Sequence, residues 1–239
     1  MTFTTLGYAF LGGLLPAFIW LYFLLKEDRR CPEPRTLIAL AFVAGMAAVP
    51  LALPFEQYAK TYLIGNQLVL TLPIITAWVL IEEVLKYAMA ASFILWRRAV
   101  DESPDYVIYM VTVALGFAAA ENMLYLVLPI SNGDFLMGVF TGDLRFIGSS
   151  LVHVVASASI GFAFAFSAKS RPVVRIAAAA LGLILATTLH TAFNTLIISQ
   201  GTSTTLTAFF LVWMVAVVFF AAFEVLKYFQ YRNLSNNTC

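Results

Sequence analysis

The chain has 239 residues, 62% of them hydrophobic and 11% charged, with a formal net charge of +1. A soluble domain carries about 25% charged residues, so this composition excludes one and describes an integral membrane protein. The small net charge, with no basic cluster interleaved with aromatics, gives no sign of nucleic-acid binding.

The apolar runs are long and continuous instead of alternating over ~10 residues, so the spans are helices and not barrel strands. Seven are predicted, at 4–25, 36–54, 64–96, 105–129, 144–168, 173–199 and 203–228. The expected fold class is all-α: a polytopic membrane protein of about seven transmembrane helices, forming a single integral membrane domain over 1–239. The first span lacks a basic n-region and an A-x-A-like cleavage site, and reads as retained. The third is overlong and is expected to tilt or to protrude. Pro16, Pro50 and Pro73 are expected to kink or end spans, and Trp20, Trp78 and Trp96 to face lipid or its interface. Short connections and the lack of an internal repeat weigh against an inverted-repeat transporter.

Loop Lys and Arg residues set the orientation. Lys26, Arg29, Arg30, Arg35, Arg97, Arg98, Lys169, Arg171, Arg175, Lys227 and Arg232 fall on one side, against Lys60 and Arg145 on the other. This places the N-terminus outside and the C-terminus in the cytoplasm. Cys31 and Cys239 then lie in the reducing compartment and are expected to be free thiols. Glu224 and Lys227 are expected to form a solvated pair, and the 130–143 loop to be a connector or a cap.

Ionisable groups at membrane depth are costly, by ~2.5–3.5 kcal/mol each on insertion scales, and usually mark a site. Span three carries Glu82-Glu83-x-x-Lys86 and span four Phe117-x-x-x-Glu121-Asn122. Span five places His153, Ser157 and Gly161 in one row, and span six does the same with Ala186, His190 and Asn194. At 1.5 Å per residue, counting from the cytoplasmic basic or acidic boundary puts Glu82, Glu121, His153 and His190 all about 22–24 Å up, in the outer half of the bilayer. Two of these helices run outward and two inward, so the agreement points to one buried layer built from four spans. Glu82 and Glu83 differ by ~100° around the helix and are expected to point apart. Lys86 shares a face with Glu82 and is either charge balance or part of the site. Phe117 is expected to wall the site, Asn122 to be helix glue or a catalytic amide, and Ser157 to be packing and not a nucleophile.

These ordered motifs resemble the PrsW-type intramembrane protease family, relatives of the CAAX prenyl-protease and bacteriocin self-immunity superfamily. The wider superfamily typically shows Glu-Glu-x-x-x-Arg and Phe-x-x-x-His. Lys86 stands one position earlier and Glu121 replaces that His, as in the PrsW branch. The resemblance implies a multi-pass hydrolase of the cell membrane, with catalytic spans over about 64–199. It implies cleavage of membrane-anchored protein substrates of the anti-sigma-factor kind within or near the lipid bilayer. On this reading Glu82 is the general base, His190 and Asn194 stabilise the oxyanion, and Glu83, Glu121 and His153 complete the catalytic set. Lys86, Phe117 and Asn122 support it. Zinc bound by Glu121, His153 and His190 is an equal alternative to metal-free hydrolysis. The rival classes are a proton-coupled transporter and a non-catalytic membrane binding or immunity protein.

Overall fold

The computed structural model describes residues 3–28, 31–64, 71–134, 137–138, 142, 144–199 and 202–233. The helices, in chain order, are α1 (Phe3–Glu27), α2 (Arg35–Ile64), α3 (Leu72–Phe93), α4 (Ser103–Ser131), α5 (Ser150–Ser167), α6 (Pro172–Ile198) and α7 (Thr202–Asn233). A single π-helical turn, Arg145–Ser149, leads into α5. Among the described residues there is no strand. Helices α1, α2, α4, α6 and α7 are long and apolar enough to cross a membrane, as is α5 together with its π turn. The 22-residue α3 carries Glu82, Glu83 and Lys86 in its middle. The protein is an all-α, multi-pass membrane protein. Long helices suit it because each satisfies its own backbone where no water can.

Local chemistry sets the helix starts. Pro73 sits in the first turn of α3 and Pro172 opens α6, where a missing N–H costs nothing. Glu102 and Asp105 form a reciprocal capping box at the start of α4, with Pro104 inside it.

The second and third spans differ from the sequence expectation. α2 runs through Pro50 and Pro54 to Ile64, ten residues beyond the predicted end. Proline in a membrane helix removes one hydrogen bond without ending the helix when neighbours support it. α3 is correspondingly shorter than predicted, at Leu72–Phe93, and is not overlong. Residues 65–70, part of the predicted third span, lie outside the described residues.

α4 is the axis of the molecule. Its residues are buried without interruption from Pro104 to Ala119, and α1, α2, α3, α5 and α7 pack around it. Small residues permit this. A Cβ on Gly45 would overlap the Val113 carbonyl oxygen, and one on Gly116 would overlap that of Phe42, so α2 and α4 cross backbone to backbone. Across α4, Gly161 of α5 lies over Val107 in the same way. Below the polar layer, Phe164 stacks between Tyr87 and Tyr106, with centroids 5.7 and 5.8 Å away, and closes the bundle on the side predicted to be cytoplasmic.

Three minor expectations change. Lys227 is buried and bridges helices, 2.6 Å from Glu224 and 3.1 Å from Glu27 of α1, so the pair is not simply solvated. Trp78 is half-buried, its indole N–H donating to the Glu56 carbonyl at 2.9 Å. Cys31 is in a disulfide and not a free thiol; the expectation rests on compartment alone, and Cys239 lies outside the described residues.

Candidate active site

α3, α4, α5 and α6 each deliver one polar segment to a common centre. Glu83 and Lys86 are wholly buried, and Glu82, His153 and His190 nearly so. Donor atoms of Glu82, Glu83, His153 and His190 all lie within 4.8 Å of one another. Of the four residues placed at matching depth by counting, Glu82, His153 and His190 lie in this cluster, and Glu121 adjoins it through His153.

Lys86 is the hub. Its ammonium donates to Glu83 Oε1 at 2.7 Å and to His153 Nδ1 at 2.8 Å, and lies 3.8 Å from Glu82 Oε2. The closer partner is Glu83 at i,i+3, and not Glu82 at i,i+4 as the helix face implied. Both glutamates reach the same ammonium despite pointing apart at Cα, because three side-chain bonds span the difference. Phe117 walls the group as expected: the ammonium sits 4.2 Å from its ring centroid, and its ring packs 5.3 Å from that of His153.

Hydrogen-bond logic fixes both imidazoles. Lysine has no acceptor, so His153 Nδ1 must accept and its Nε2 carries the hydrogen. That N–H meets Glu121 Oε2 at 2.9 Å. His190 Nδ1 lies 2.9 Å from Glu83 Oε1 and donates to it, which leaves the Nε2 lone pair free. The two rings stand edge to face with centroids 4.7 Å apart. Ser157, expected only to pack, donates to Glu83 Oε2 at 3.3 Å and holds the buried carboxylate from the other side.

Glu82 differs from its neighbour. Its Oε2 is buried and has no hydrogen-bond partner among the described residues. It borders a cavity of ≈ 640 Å³ that is also lined by Glu56, Phe117, Glu121, Arg145, His153, His190 and Asn194. Glu83 and Lys86 do not line it. The cavity rises from a floor at Phe117 and the histidines toward Tyr125 and Ile198, near the helix ends predicted to face outward.

Sequence reasoning misses Arg145, which the sequence presents only as a loop charge. The π turn brings its guanidinium onto Glu121 as an ion pair, onto Asn122 Oδ1 at 2.5 Å, and 3.9 Å from the Tyr125 ring centroid. Asn122 in turn donates to Ser150 Oγ at 3.1 Å, so it ties α4 to the start of α5. An arginine beside the start of a span whose partner helix carries a lone glutamate is the available signal. Glu56, at the cavity wall, is also missed because the predicted second span stops at residue 54.

The donors suit a divalent metal. Two imidazoles and two carboxylates converge, and one carboxylate oxygen is orphaned, which is the chemistry of a zinc-class N and O site. The cation these donors hold here is Lys86, so a metal and the ammonium compete for Glu83 and His153. Glu121 touches His153 but lies outside the convergent four.

No solved structure matches the chain significantly. Three curated proteins, each named Protease PrsW, do match. The one from Clostridioides difficile (strain 630) is 25% identical over 64% of this chain and 63% of its own length. The one from Geobacillus kaustophilus is 29% identical over 67% and 68%. The one from Oceanobacillus iheyensis is 31% identical over 54% and 59%. The chain thus spans about two thirds or less of these relatives. The model of the family described as PrsW family intramembrane metalloprotease matches residues 33–223, which contain every polar group of the buried cluster. The chain belongs to the PrsW family.

Proposed function

We propose that the protein is an intramembrane endopeptidase that hydrolyses peptide bonds of membrane-anchored proteins, of the anti-sigma-factor kind, in the outer half of the cell membrane. The observation that carries this reading is Glu82 Oε2, buried without a hydrogen-bond partner among the described residues at the wall of a cavity whose other polar walls include Glu121, His153, His190 and Asn194. A buried acceptor without a donor is the place for a water.

Glu82 accepts a proton from that water as it attacks the scissile carbonyl. Glu83 cannot share this task, since Lys86, Ser157 and His190 hold it. With the Nδ1 hydrogen of His190 given to Glu83, the neutral ring has no N–H at Nε2 for an oxyanion. The amide of Asn194, on the same wall, takes that role. This shifts the oxyanion donor from the His190–Asn194 pair to Asn194. His153 and Glu121 form the opposite wall, held rigid by Lys86 on one side and Arg145 on the other. The proton taken by Glu82 returns to the leaving amine. Phe117 and the stacked Tyr87, Phe164 and Tyr106 seal the layer below. A zinc-class metal would be held by His153, His190 and Glu83, and would supply Lewis acidity toward the water and the carbonyl.

A cavity that reaches Tyr125 and Ile198, near the helix ends predicted to face outward, with Phe117 at its floor, favours hydrolysis over proton-coupled transport, which needs access from both sides. The test is the purified chain in proteoliposomes, presented with a membrane-anchored reporter. Hydrolytic fragments without proton flux are expected. Proton flux without fragments would replace this reading with a transporter.

A further inference from the structure

Among the described residues, the carboxylates at the cavity outnumber the cations, because the Lys86 ammonium is shared between Glu83 and Glu82. Glu121 is paired with Arg145, and Glu82 lies 3.8 Å from the Lys86 ammonium. Glu56 of α2 lines the same cavity, half-buried, and among the described residues its carboxylate has no hydrogen-bond or ion-pair partner. Lys60, one turn further along α2, is exposed and does not reach it. Glu56 is therefore the one carboxylate of the cavity wall with no cation within ion-pair distance among the described residues. A half-buried carboxylate at this depth gains from any cation that comes to it.

The position of Glu56 relative to the chemistry is fixed by Trp78, whose indole N–H donates to the Glu56 carbonyl at 2.9 Å. Trp78 precedes Glu82 on α3 by one turn, so Glu56 sits about 6 Å from the level of Glu82 toward the cavity mouth. An extended peptide advances about 3.3 Å per residue, so that offset is about two residues.

We propose that Glu56 is a specificity-determining residue that receives a Lys or Arg side chain of the substrate about two residues from the scissile bond, on the side leading to the cavity mouth. The long cationic side chain lays its methylenes along Leu53 and Ile75 of the same wall and places its charge against Glu56. This inference rests on the hydrolytic reading above and adds to it the charge class of the substrate.

The test gives the full chain in detergent a degenerate synthetic peptide library and reads the cut sites by mass spectrometry. The wild-type chain is expected to enrich Lys and Arg over Asp and Glu roughly fivefold at the second residue on one side of the cut, the scale of a partly exposed ion pair. Glu56→Gln is expected to erase that preference and Glu56→Lys to invert it. A wild-type profile with no charge preference there overturns the proposal whatever the variants do. So does a preference that both variants retain. A wild-type chain that cuts no peptide and no reporter overturns the hydrolytic reading, and this inference with it.

Discussion

Lys86 Nζ lies 2.8 Å from His153 Nδ1, although the two residues are 67 positions apart in the chain. The contact makes the lysine the cation of the buried layer and fixes the tautomer of the histidine. Removing the lysine therefore disturbs two helices at once.

Lys86→Met leaves Glu83 as a wholly buried carboxylate without its cation. Breaking a buried pair from one side costs about 3–5 kcal/mol, which at 2–4 °C per kcal/mol is a Tm lower by roughly 10 °C. Zinc is expected to restore much of that loss, because it supplies charge to the same donors. Differential scanning fluorimetry with added zinc or EDTA reads both effects. A Tm that ignores both the substitution and the metal would contradict the assignment of Lys86 as the competing cation.

Arg145→Met strips Glu121 of its guanidinium and Asn122 of its donor. The variant is expected to lose stability by about 3 kcal/mol, and the double variant Arg145→Met, Glu121→Gln to recover part of it, because no charge is then left unpaired. Thermal unfolding of the cycle checks the coupling. Additive losses would mean that the pair does not act as a unit.

The buried layer was legible because charge in an apolar run cannot hide. Glu82, Glu121, His153 and His190 could each be placed by counting residues; the structure gathers Glu82, His153 and His190 with Glu83 and Lys86, and Glu121 joins them through His153. Which partners they choose was not legible. Lys86 chose Glu83 because side-chain reach, and not Cα direction, decides contacts between long residues. Arg145 was invisible because a π turn carries it back over α4, and no residue pattern announces that turn. Glu56 was lost with the rule that proline and charge end a span, which α2 breaks at Pro54.

The crossing of α2 and α4 places Glu56 and Glu121 on one cavity, and it depends on Gly45 and Gly116. A methyl at Gly116 would overlap the backbone carbonyl of Phe42, which no rotamer change relieves. Gly116→Ala is expected to cost at least the ~1–3 kcal/mol of an overpacked core. Gly7, with nothing within 4 Å of an added Cβ, is the control at which Ala is expected to be silent. Comparing Tm and the yield of folded protein for the two variants checks this.

Stability should also fall with rising pH through a group outside the spans. Burial pushes the Asp28 carboxyl from 3.8 up to about 7, against the Glu33 N–H that donates to it at 3.1 Å. The folded state keeps this proton where the unfolded state has lost it, so the contribution of Asp28 declines between about pH 4 and 7 and levels off above. Asp28→Asn keeps an acceptor for the Glu33 N–H and cannot ionise. Its Tm is expected to equal the wild type near pH 4 and to exceed it by a few degrees at about pH 8. Equal differences at both pH values would contradict the sign.

Activation of water by Glu82 at the cavity wall underlies the whole hydrolytic reading, and the cleavage rate of Glu82→Gln probes it without intermediaries. The substitution preserves shape and hydrogen-bonding capacity while removing the base. The expected kcat/KM for a membrane-anchored reporter is lower by at least ~100-fold, the scale of general-base catalysis, with Tm within a few degrees of the wild type. A Glu82→Gln protein that cleaves at the wild-type rate would show that another group activates the water.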